Sequence, residues 1–273
     1  MFDTPAPDVR DRMLAAHERA AHLYGLPAGS PRRVWGYGGR SLSSPAGDGW
    51  LRLVSVPAGD KGGTLWDGPR LAYETLPGAV PRPELLGLRD WQAGGHAYRA
   101  ELYAYAAEPV VSPCPAISTD PGLPDVWWKE TAAALDVLGD TPVPDGREAV
   151  REEYLRRVIP QFTGHRVDTI TWSTAHGDLH WANITRGPLV LDWEGWGRAP
   201  YGFDAATLHV FSLLVPETAD RVRVELAPIL DRPEARTAVL TVCAQVLQAA
   251  DRTDFYTALA GPVRRHLETL GAE

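Results

Sequence analysis

A short stretch of the chain combines histidine, aspartate and asparagine at close spacing. It reads His176-Gly-Asp-Leu-His-Trp-Ala-Asn183, and Asp192 follows nine residues later. Asp178 can accept a proton from a hydroxyl group, while the amide oxygen of Asn183 and the carboxylate of Asp192 can hold a hard cation. Mg²⁺ is usually held by one or two carboxylates and substrate phosphates, so few protein ligands suffice. The spacing therefore predicts phosphoryl transfer from a nucleotide, with residues 188–191 as a short strand before Asp192.

The surrounding sequence makes this interpretation more specific. The two motifs read H-G-D-x-x-x-x-N and D-W-E, and Pro200-Tyr-Gly-Phe-Asp204-Ala-Ala follows them. A single His-Gly-Asp is common, whereas the ordered combination with an apolar run and a second acidic residue is much less so. The combination resembles the aminoglycoside phosphotransferase and choline kinase group of small-molecule kinases. The resemblance is specific over 175–206 and concerns only the order of elements in the rest of 33–215.

The resemblance implies a role for each polar residue of this region. Asp178 would orient the acceptor hydroxyl and take its proton, while Asn183 and Asp192 would hold Mg²⁺ against the β- and γ-phosphates. His176 would fix the loop through its ring nitrogens, with a second catalytic base as the alternative role. Asp204 would support the catalytic loop.

The same resemblance implies an α+β fold of the protein-kinase type with two lobes. The N-terminal lobe would be a mostly antiparallel sheet plus a helix, and the C-terminal lobe mainly helical. The predicted boundaries are an N-terminal helical extension over 1–32, a nucleotide-binding N-lobe over 33–108, a linker over 109–124 and a C-lobe over 125–273. The linker contains five prolines, a density that forbids regular structure.

Hydrophobic periodicity predicts a helix over 8–25, short strands within 33–57 and two more strands over 84–91 and 97–107. The first two strands are joined by Gly36-Tyr-Gly-Gly-Arg-Ser41. A turn of this kind lets backbone N–H groups approach phosphate oxygens without obstruction by side chains. An ordinary hairpin has the same composition, so both interpretations remain open. The candidate nucleotide-binding residues of this turn are Gly36, Gly38, Gly39 and Ser41.

The kinase template also requires a cation on the third strand, usually a lysine that pairs with a helix glutamate. This chain has Arg52 in the strand and Glu74 in a helix predicted over 64–76. An arginine supplies the charge as a planar fork rather than as a compact point. Arg52 and Glu74 are therefore candidate nucleotide-binding residues, and Lys61 is the alternative source of the cation. An exposed strand arginine is the simpler interpretation of Arg52.

Hydrophobic periodicity in the C-terminal half predicts several helices. Among them are a helix over 125–138 and a helix over 147–159 that ends before Pro160. Trp127 and Trp128 favour a core position over a substrate site, because aromatic residues at helical spacing usually pack inside. Three further residues are candidate substrate contacts, although Glu194 could equally contact metal or cap a turn. They are His180, Trp181 and Glu194.

Bulk composition narrows the class of protein. The chain has 273 residues, 44% of them hydrophobic and 23% charged, and a formal net charge of −8. Scattered basic residues argue against nucleic acid as a partner, and the acidic balance favours cationic substrates only weakly. No apolar run reaches membrane-spanning length and no secretory signal is evident, which predicts a cytoplasmic protein. The two cysteines lie far apart and predict free thiols.

We therefore expect a phosphotransferase that moves the γ-phosphate of ATP or GTP to a hydroxyl of a small molecule, with Mg²⁺ as cofactor. An aminoglycoside-like antibiotic is one acceptor, and choline, another amino alcohol, a sugar or a macrolide are alternatives. A nucleotide-binding protein without catalysis is the alternative from another class, favoured by the absence of a strand lysine. The intact set of Asp178, Asn183 and Asp192 argues against it.

Overall fold

The computed structural model describes residues 5–27, 29–60 and 63–271. The chain divides into two compact units. The first contains Met1–Glu74 and Arg82–Ala107, and the second contains Thr75–Pro81 and Glu108–Glu273.

The first unit is built on an antiparallel five-stranded sheet with strand order β1-β2-β3-β5-β4. Short turns join β1 to β2, β2 to β3 and β4 to β5, whereas β3 and β5 pair across the segment that contains α2 and β4. Glycine at the Gly47 and Gly94–Gly95 turns supplies the positive φ that the hairpins need. The elements are α1 (Pro7–Leu23), β1 (Val34–Trp35), a 3₁₀ turn (Tyr37–Gly39), β2 (Ser41–Ala46), β3 (Gly49–Pro57), α2 (Gly63–Thr75), β4 (Leu85–Ala93) and β5 (His96–Ala104).

Helix α1 covers one face of this sheet. Its buried residues Met13 and Ala20 pack with Leu51 and Leu53, which alternate along β3 as a strand with one buried face requires. The helix is therefore part of the core of the first unit, and the separate extension over 1–32 is corrected. Its apolar face needs the sheet, because 17 residues of helix cannot bury that face alone.

The opposite face of the sheet meets α2 through Arg99. This buried guanidinium makes paired hydrogen bonds to Asp90, at 2.7 and 2.8 Å, and donates to the carbonyl oxygen of Trp66 at 2.7 Å. It also lies over the Trp66 ring, 4.8 Å from the centroid. Arg99 thereby ties the helix to the sheet. Pro69 lies inside α2 without breaking it.

The second unit is mainly helical around a short antiparallel pair of strands. Its elements are α3 (Asp125–Asp140), α4 (Glu152–Thr163), β6 (Trp172–Ala175), β7 (Gly197–Pro200), α5 (Phe203–Val210), α6 (Pro216–Glu225), α7 (Ala227–Leu230), a 3₁₀ turn (Pro233–Ala235), α8 (Arg236–Gln248) and α9 (Asp254–Gly271). The α+β architecture predicted from the sequence, an antiparallel sheet with helices followed by a mainly helical part, is observed.

The proline-rich segment 109–124 lies within the second unit and has neither helix nor strand. Its backbone pairs instead with the loop that follows β6, residues 176–184, which contains the candidate catalytic residues and is called the catalytic loop below. The N–H of Val111 donates to the carbonyl of Ile184 at 2.8 Å, and the N–H of Ser112 to that of Trp181 at 3.1 Å. The segment predicted as a linker therefore helps to position the loop.

Two local predictions in this unit were wrong. The helix expected over 147–159 begins only at Glu152, because residues 147–150 pair with β7: Ala149 and Val150 both donate to the carbonyl of Arg198. The helix continues through Pro160 and ends at Thr163, with Gly164 as its C-cap at φ +74°. The strand expected over 188–191 is only an isolated bridge between Ile184 and Val190, too short to form a ladder.

Candidate active site

The catalytic loop begins directly after β6 and is held by the carboxylate of Asp204. This carboxylate, at the start of α5, accepts hydrogen bonds from the backbone N–H groups of His176 at 2.7 Å and Gly177 at 3.0 Å. Burial raises the pKa of Asp204 to about 6, although the two backbone hydrogen bonds favour the ionised form. These two hydrogen bonds are the contacts expected of a carboxylate that supports the loop.

His176 links the catalytic loop to the segment that carries Asp192. Its Nε2 lies 2.8 Å from the carbonyl oxygen of Leu191, and its Nδ1 accepts from the N–H of Asp178 at 3.3 Å. The ring is fully buried and meets Trp193 edge-on at 4.7 Å. Burial lowers its pKa to about 4, so the imidazole is neutral with the proton assigned to Nε2. Both ring nitrogens are engaged in these contacts, so neither is available for the alternative role of a second catalytic base.

Asp178 lies at the surface of the loop, with 64% of its side chain exposed. Desolvation and the negative charges of Asp192, Glu194 and Asp204 raise its pKa. Solvent screens part of this effect because the side chain is largely exposed. The neighbouring charges nevertheless place Asp178 in a cluster of carboxylates that a bound cation would stabilise.

Asn183 and Asp192 can supply oxygen ligands to such a cation. The Nδ2 of Asn183 donates to the carbonyl of Asp178 at 2.9 Å, which turns the amide so that Oδ1 points away from that bond. Asp192 has φ +60°, the one positive φ of a non-glycine residue among the described residues. A non-glycine residue with a left-handed backbone conformation is uncommon, and such residues often lie at functional sites.

An amide oxygen and a carboxylate are ligand types that Mg²⁺ accepts, and the ion takes few protein ligands when phosphates complete its shell. Among the residues that the structure describes, no group of three His, Cys, Asp or Glu side chains forms a metal site. The candidate protein ligands for the cation are therefore one amide and one carboxylate, from Asn183 and Asp192.

Arg147 holds the segment after Asp192, a role that no local sequence pattern indicated. Its guanidinium donates to the carbonyl of Glu194 at 3.0 Å and lies 4.8 Å from the centroid of the Trp196 ring. Only 5% of Arg147 is exposed. The residue was expected at the start of a helix, where an arginine is usually solvated, so only the tertiary structure reveals it.

The neighbouring residue Ala149 explains why residues 177 and 197 are glycines. Gly177 has φ +84°, and a Cβ there would come within 2.7 Å of the Ala149 Cβ. A Cβ at Gly197 would come within 2.9 Å of the backbone nitrogen of Ala149. Residues 147–149 therefore pack against both halves of the site.

The three candidate substrate residues lie in different environments. Trp181 is fully buried, donates from Nε1 to Ser212 at 3.0 Å and stacks on Trp127 at 6.0 Å. It belongs to the core, which corrects its assignment to an acceptor pocket. Trp127 and Trp128 are buried there too, as expected.

His180, by contrast, lies beside the proposed base. Its Nε2 is 3.6 Å from Oδ2 of Asp178, and burial lowers its pKa to about 4. The imidazole is therefore neutral. Glu194 is partly exposed, and its charge contributes to the raised pKa of Asp178.

In the first unit, Arg52 pairs with a residue that was not among the candidates. Its Nη1 donates to Oε2 of Glu101 on the neighbouring strand at 3.0 Å, and the Tyr103 hydroxyl donates to the same oxygen at 2.9 Å. Glu74 accepts from Arg70, one turn earlier in α2, at 2.6 Å. Lys61, the alternative cation, lies outside the described residues.

The glycine-rich turn uses some of its backbone donors internally. The N–H of Gly36 bonds the carbonyl of Ser41 at 3.0 Å, and the N–H of Gly39 bonds that of Gly36 at 3.1 Å. Gly38 is exposed with φ +58°, whereas Gly39 is buried against Pro5. The turn thus offers fewer free N–H groups than four candidate residues suggested.

Other features agree with the sequence expectations. Cys114 and Cys243 are both free thiols, and burial raises the pKa of Cys243 to about 12. Within the described residues, no helix is both long and apolar enough to cross a membrane.

No protein-family model matches the sequence, and no curated protein matches it either. Solved structures do match. A choline/ethanolamine kinase family protein from Mesorhizobium loti is 17% identical, with a TM-score of 0.58, over 96% of this chain and 94% of its own. Aminoglycoside 2'-phosphotransferase-IIIa, in its GDP complex, is 14% identical with a TM-score of 0.57, over 93% and 98%.

Spectinomycin phosphotransferase APH(9)-Ia, in complex with ADP and spectinomycin, is 12% identical with a TM-score of 0.56, over 92% of each chain. These identities are low, so the likeness concerns the fold. The resemblance inferred from the motifs is confirmed at that level: the chain has the protein-kinase-like fold of choline kinase and aminoglycoside phosphotransferase structures.

Proposed function

We propose that this protein is a small-molecule kinase, which transfers the γ-phosphate of ATP or GTP to a hydroxyl group. One observation carries the proposal. Asp178, Asn183 and Asp192 lie on two segments that His176 joins, and Asp204 holds the first of them. A protein that only bound nucleotide would have no need of an exposed carboxylate in this cluster.

Asp178 is the group that receives the acceptor proton. The acceptor oxygen attacks the γ-phosphorus, the bond from that phosphorus to the β,γ-bridging oxygen breaks, and the hydroxyl proton passes to the Asp178 carboxylate. The products are a phosphate monoester and a nucleoside diphosphate. Such a positioned base is typically worth roughly 10²–10⁴ in rate.

Asn183 and Asp192 would hold Mg²⁺ when it is bound, and the ion would neutralise phosphate charge. His176 and Arg147 contribute by fixing the backbone that carries Asp192 and Glu194. The positions of the ligands are thereby set before nucleotide binds. The nucleotide-binding roles of Arg52, Glu74 and the glycine-rich turn remain predictions.

The solved structures support a nucleotide co-substrate and a small-molecule acceptor. The aminoglycoside 2'-phosphotransferase binds GDP, and the spectinomycin phosphotransferase binds ADP and spectinomycin. Low identity means that these ligands support the reaction type without selecting the acceptor. Aminoglycosides, choline, other amino alcohols, sugars and macrolides therefore all belong in the first test.

The test measures nucleoside diphosphate release from Mg·ATP and Mg·GTP over that panel of acceptors. The wild-type protein should turn over at least one acceptor, and Asp178→Asn should lose the rate while it retains nucleotide affinity. Asp168→Asn, at an exposed aspartate outside the loop, is the matched control and should keep full activity.

Nucleotide binding without turnover of any acceptor, together with no effect of Asp178→Asn, would favour the non-catalytic alternative. Failure to bind either nucleotide would remove the kinase proposal altogether.

A further inference from the structure

Glu101 is a buried carboxylate in the middle of β5. Only 1% of its side chain is exposed, and burial of a carboxylate is costly unless hydrogen bonds and an opposite charge compensate it. Its Oε2 accepts one hydrogen bond from Nη1 of Arg52 at 3.0 Å and another from the Tyr103 hydroxyl at 2.9 Å. The guanidinium therefore supplies the opposite charge, and the tyrosine hydroxyl helps to fix the direction of that carboxylate oxygen.

The positions of these three residues are set by the sheet. Arg52 and Glu101 lie directly opposite each other in the antiparallel ladder of β3 and β5. Tyr103 lies two residues further along β5 and therefore on the same face. Both strands are hydrogen-bonded on each side, β3 to β2 and β5, and β5 to β3 and β4. The backbone that carries the three side chains is thus held by hydrogen-bonded ladders on both sides.

The helix glutamate of the kinase template makes a different contact. In protein kinases the strand cation pairs with a glutamate of a helix, and the position of that helix controls the pair. Here Glu74 lies at the end of α2, is half exposed and accepts a hydrogen bond from Arg70 of the same helix at 2.6 Å. The carboxylate opposite Arg52 comes instead from a strand.

An arginine suits a partner on the neighbouring strand. Its planar guanidinium carries five N–H donors, so one edge can contact a carboxylate while another contacts a phosphate oxygen. A long side chain loses rotamer entropy when a ligand immobilises it, and a carboxylate that already holds it reduces that cost. The Arg52 side chain is 14% exposed, so Glu101 holds its guanidinium without closing it off from solvent.

We propose that Glu101 is a positioning residue for nucleotide binding, which holds the Arg52 guanidinium where that group meets a phosphate of the nucleotide. It takes the part that the template gives to the helix glutamate. This inference rests on the proposed function and on phosphate binding by Arg52. Because the pair is built within one sheet, Arg52 keeps its place whatever the position of α2.

The positioning role and a purely compensating role predict opposite effects of removing the Glu101 charge. If the carboxylate positions Arg52, a neutral replacement loosens the guanidinium and weakens nucleotide binding. If it only compensates a buried cation, a neutral replacement leaves Arg52 with more positive charge for the phosphate, which tightens nucleotide binding. Glu101→Gln keeps the shape of the side chain and one acceptor oxygen, so it changes the charge with little change in volume.

Titrations of Mg·ATP and adenosine, and of Mg·GTP and guanosine, into the wild type and Glu101→Gln test the inference. The triphosphates should bind Glu101→Gln about fivefold more weakly, because a hydrogen bond to a neutral amide is weaker than one to a carboxylate. The nucleosides carry no phosphate and should bind both proteins equally. A general loss of structure in the first unit would weaken triphosphates and nucleosides alike, so the comparison separates positioning from stability.

Three further variants locate the effect. In an Arg52→Met protein, whose side chain is long but uncharged, Glu101→Gln should no longer weaken triphosphate binding. Glu74→Gln should weaken it less than Glu101→Gln does. Glu18→Gln, at an exposed glutamate of α1, is the matched control and should bind like the wild type.

Tyr103→Phe gives the same test in a milder form if Glu101→Gln does not fold. It removes one of the two donors to Oε2 of Glu101 and keeps the carboxylate charge. Triphosphate binding should weaken about twofold, as expected for the loss of one neutral donor, with nucleoside binding unchanged.

Unchanged or tighter triphosphate binding by Glu101→Gln overturns the inference, and so does an equal loss of nucleoside binding. The inference also fails if the loss persists in the Arg52→Met protein, or if Glu74→Gln causes the larger loss. Failure of the wild type to bind either triphosphate counts against the proposed function. Clear wild-type binding with any of the contrary outcomes counts against this inference alone.

Discussion

Arg52 and Glu101 face each other across strands β3 and β5, with Nη1 3.0 Å from Oε2. Glu101 is 1% exposed and the Arg52 side chain 14%. The pair lies on the sheet face opposite Leu51 and Leu53, because neighbouring strand residues point to opposite sides. The buried carboxylate of Glu101 thus holds the guanidinium of Arg52 on this face of the sheet.

Arg52→Ala should lower both stability and nucleotide affinity. The change leaves Glu101 buried without its guanidinium partner, and losing one partner of a buried pair costs about 3 kcal/mol. If Arg52 contacts phosphate, the apparent KM for ATP should also rise at least about tenfold, the effect of one lost charge-assisted hydrogen bond. Urea unfolding and steady-state kinetics measure the two effects separately.

Arg156→Ala is the control for the stability effect, because its pair with Glu152 is exposed and worth about 0.3–0.5 kcal/mol. A destabilised Arg52→Ala protein with an unchanged KM for ATP would restrict Arg52 to a structural role. Equal stability losses in the two variants would contradict the burial argument.

Arg147→Ala should weaken metal-dependent activity through the segment after Asp192. Removing the guanidinium leaves the Glu194 carbonyl without that donor and the Trp196 ring without its stacked cation. We expect a stability loss of about 2 kcal/mol and a higher Mg²⁺ concentration for half-maximal rate.

Arg147→Lys should recover part of the stability but not the Mg²⁺ dependence, because one ammonium group cannot both stack and donate like a planar fork. Mg²⁺ titrations of the initial rate check this. A variant that is destabilised with unchanged Mg²⁺ dependence would show that Arg147 does not position Asp192.

Asn183→Ala should make the reaction require more Mg²⁺. The substitution removes the candidate ligand Oδ1 and the 2.9 Å hydrogen bond to the Asp178 carbonyl. A tenfold or greater rise in the half-saturating Mg²⁺ concentration is expected, about 1.4 kcal/mol or more.

Asn183→Asp keeps an oxygen ligand and should retain more metal affinity than the alanine variant. If neither variant alters the Mg²⁺ titration, Asn183 is not a metal ligand.

Gly177→Ala should destabilise the protein by about 2–4 kcal/mol, from the strain of a positive φ and from the contact with Ala149. Adding Ala149→Gly removes the facing Cβ but not the φ strain, so it should rescue only part of the loss. Chemical denaturation of both single variants and the double variant gives a coupling energy, expected near 1 kcal/mol.

Purely additive losses in this cycle would mean that the two Cβ atoms do not meet. Full rescue would mean that the φ of Gly177 is no constraint.

Buried histidines should make the protein less stable as the pH falls below about 6.5. Burial lowers the pKa of His209 to about 3, so between about pH 6.5 and 3 the unfolded chain binds a proton that the folded chain does not. Stability then falls by about 1.4 kcal/mol per pH unit for each such histidine. His176 and His180 act in the same direction down to about pH 4.

Asp204 acts in the opposite direction between its ordinary pKa and about 6, because its folded form holds the proton more tightly. Denaturation across pH 4–7 should still show a loss toward acid, and His209→Gln should reduce the slope. His22→Gln, at an exposed position, is the control. A slope that His209→Gln leaves unchanged would contradict this assignment.

The sequence alone predicted the class of fold and the chemistry proposed for the site. Asp178, Asn183 and Asp192 are candidates because of their type and spacing, which match the demands of phosphates and Mg²⁺ on oxygen ligands. Strand alternation and turn glycines likewise predicted the antiparallel sheet, because both are local properties of the backbone. These patterns can be recognised in a single sequence because each depends on residues that lie close together along the chain.

The tertiary structure decided which side chains hold those groups in place. Glu101 lies 49 residues from Arg52, and the carbonyl that Arg147 contacts belongs to a residue 47 positions away. No local pattern encodes such pairings. Trp181 is a second example. Its place in the catalytic loop suggested that it contacts the acceptor, yet its side chain packs on Trp127 and is buried. Burial is decided by the whole set of neighbours, and spacing along the chain does not specify them.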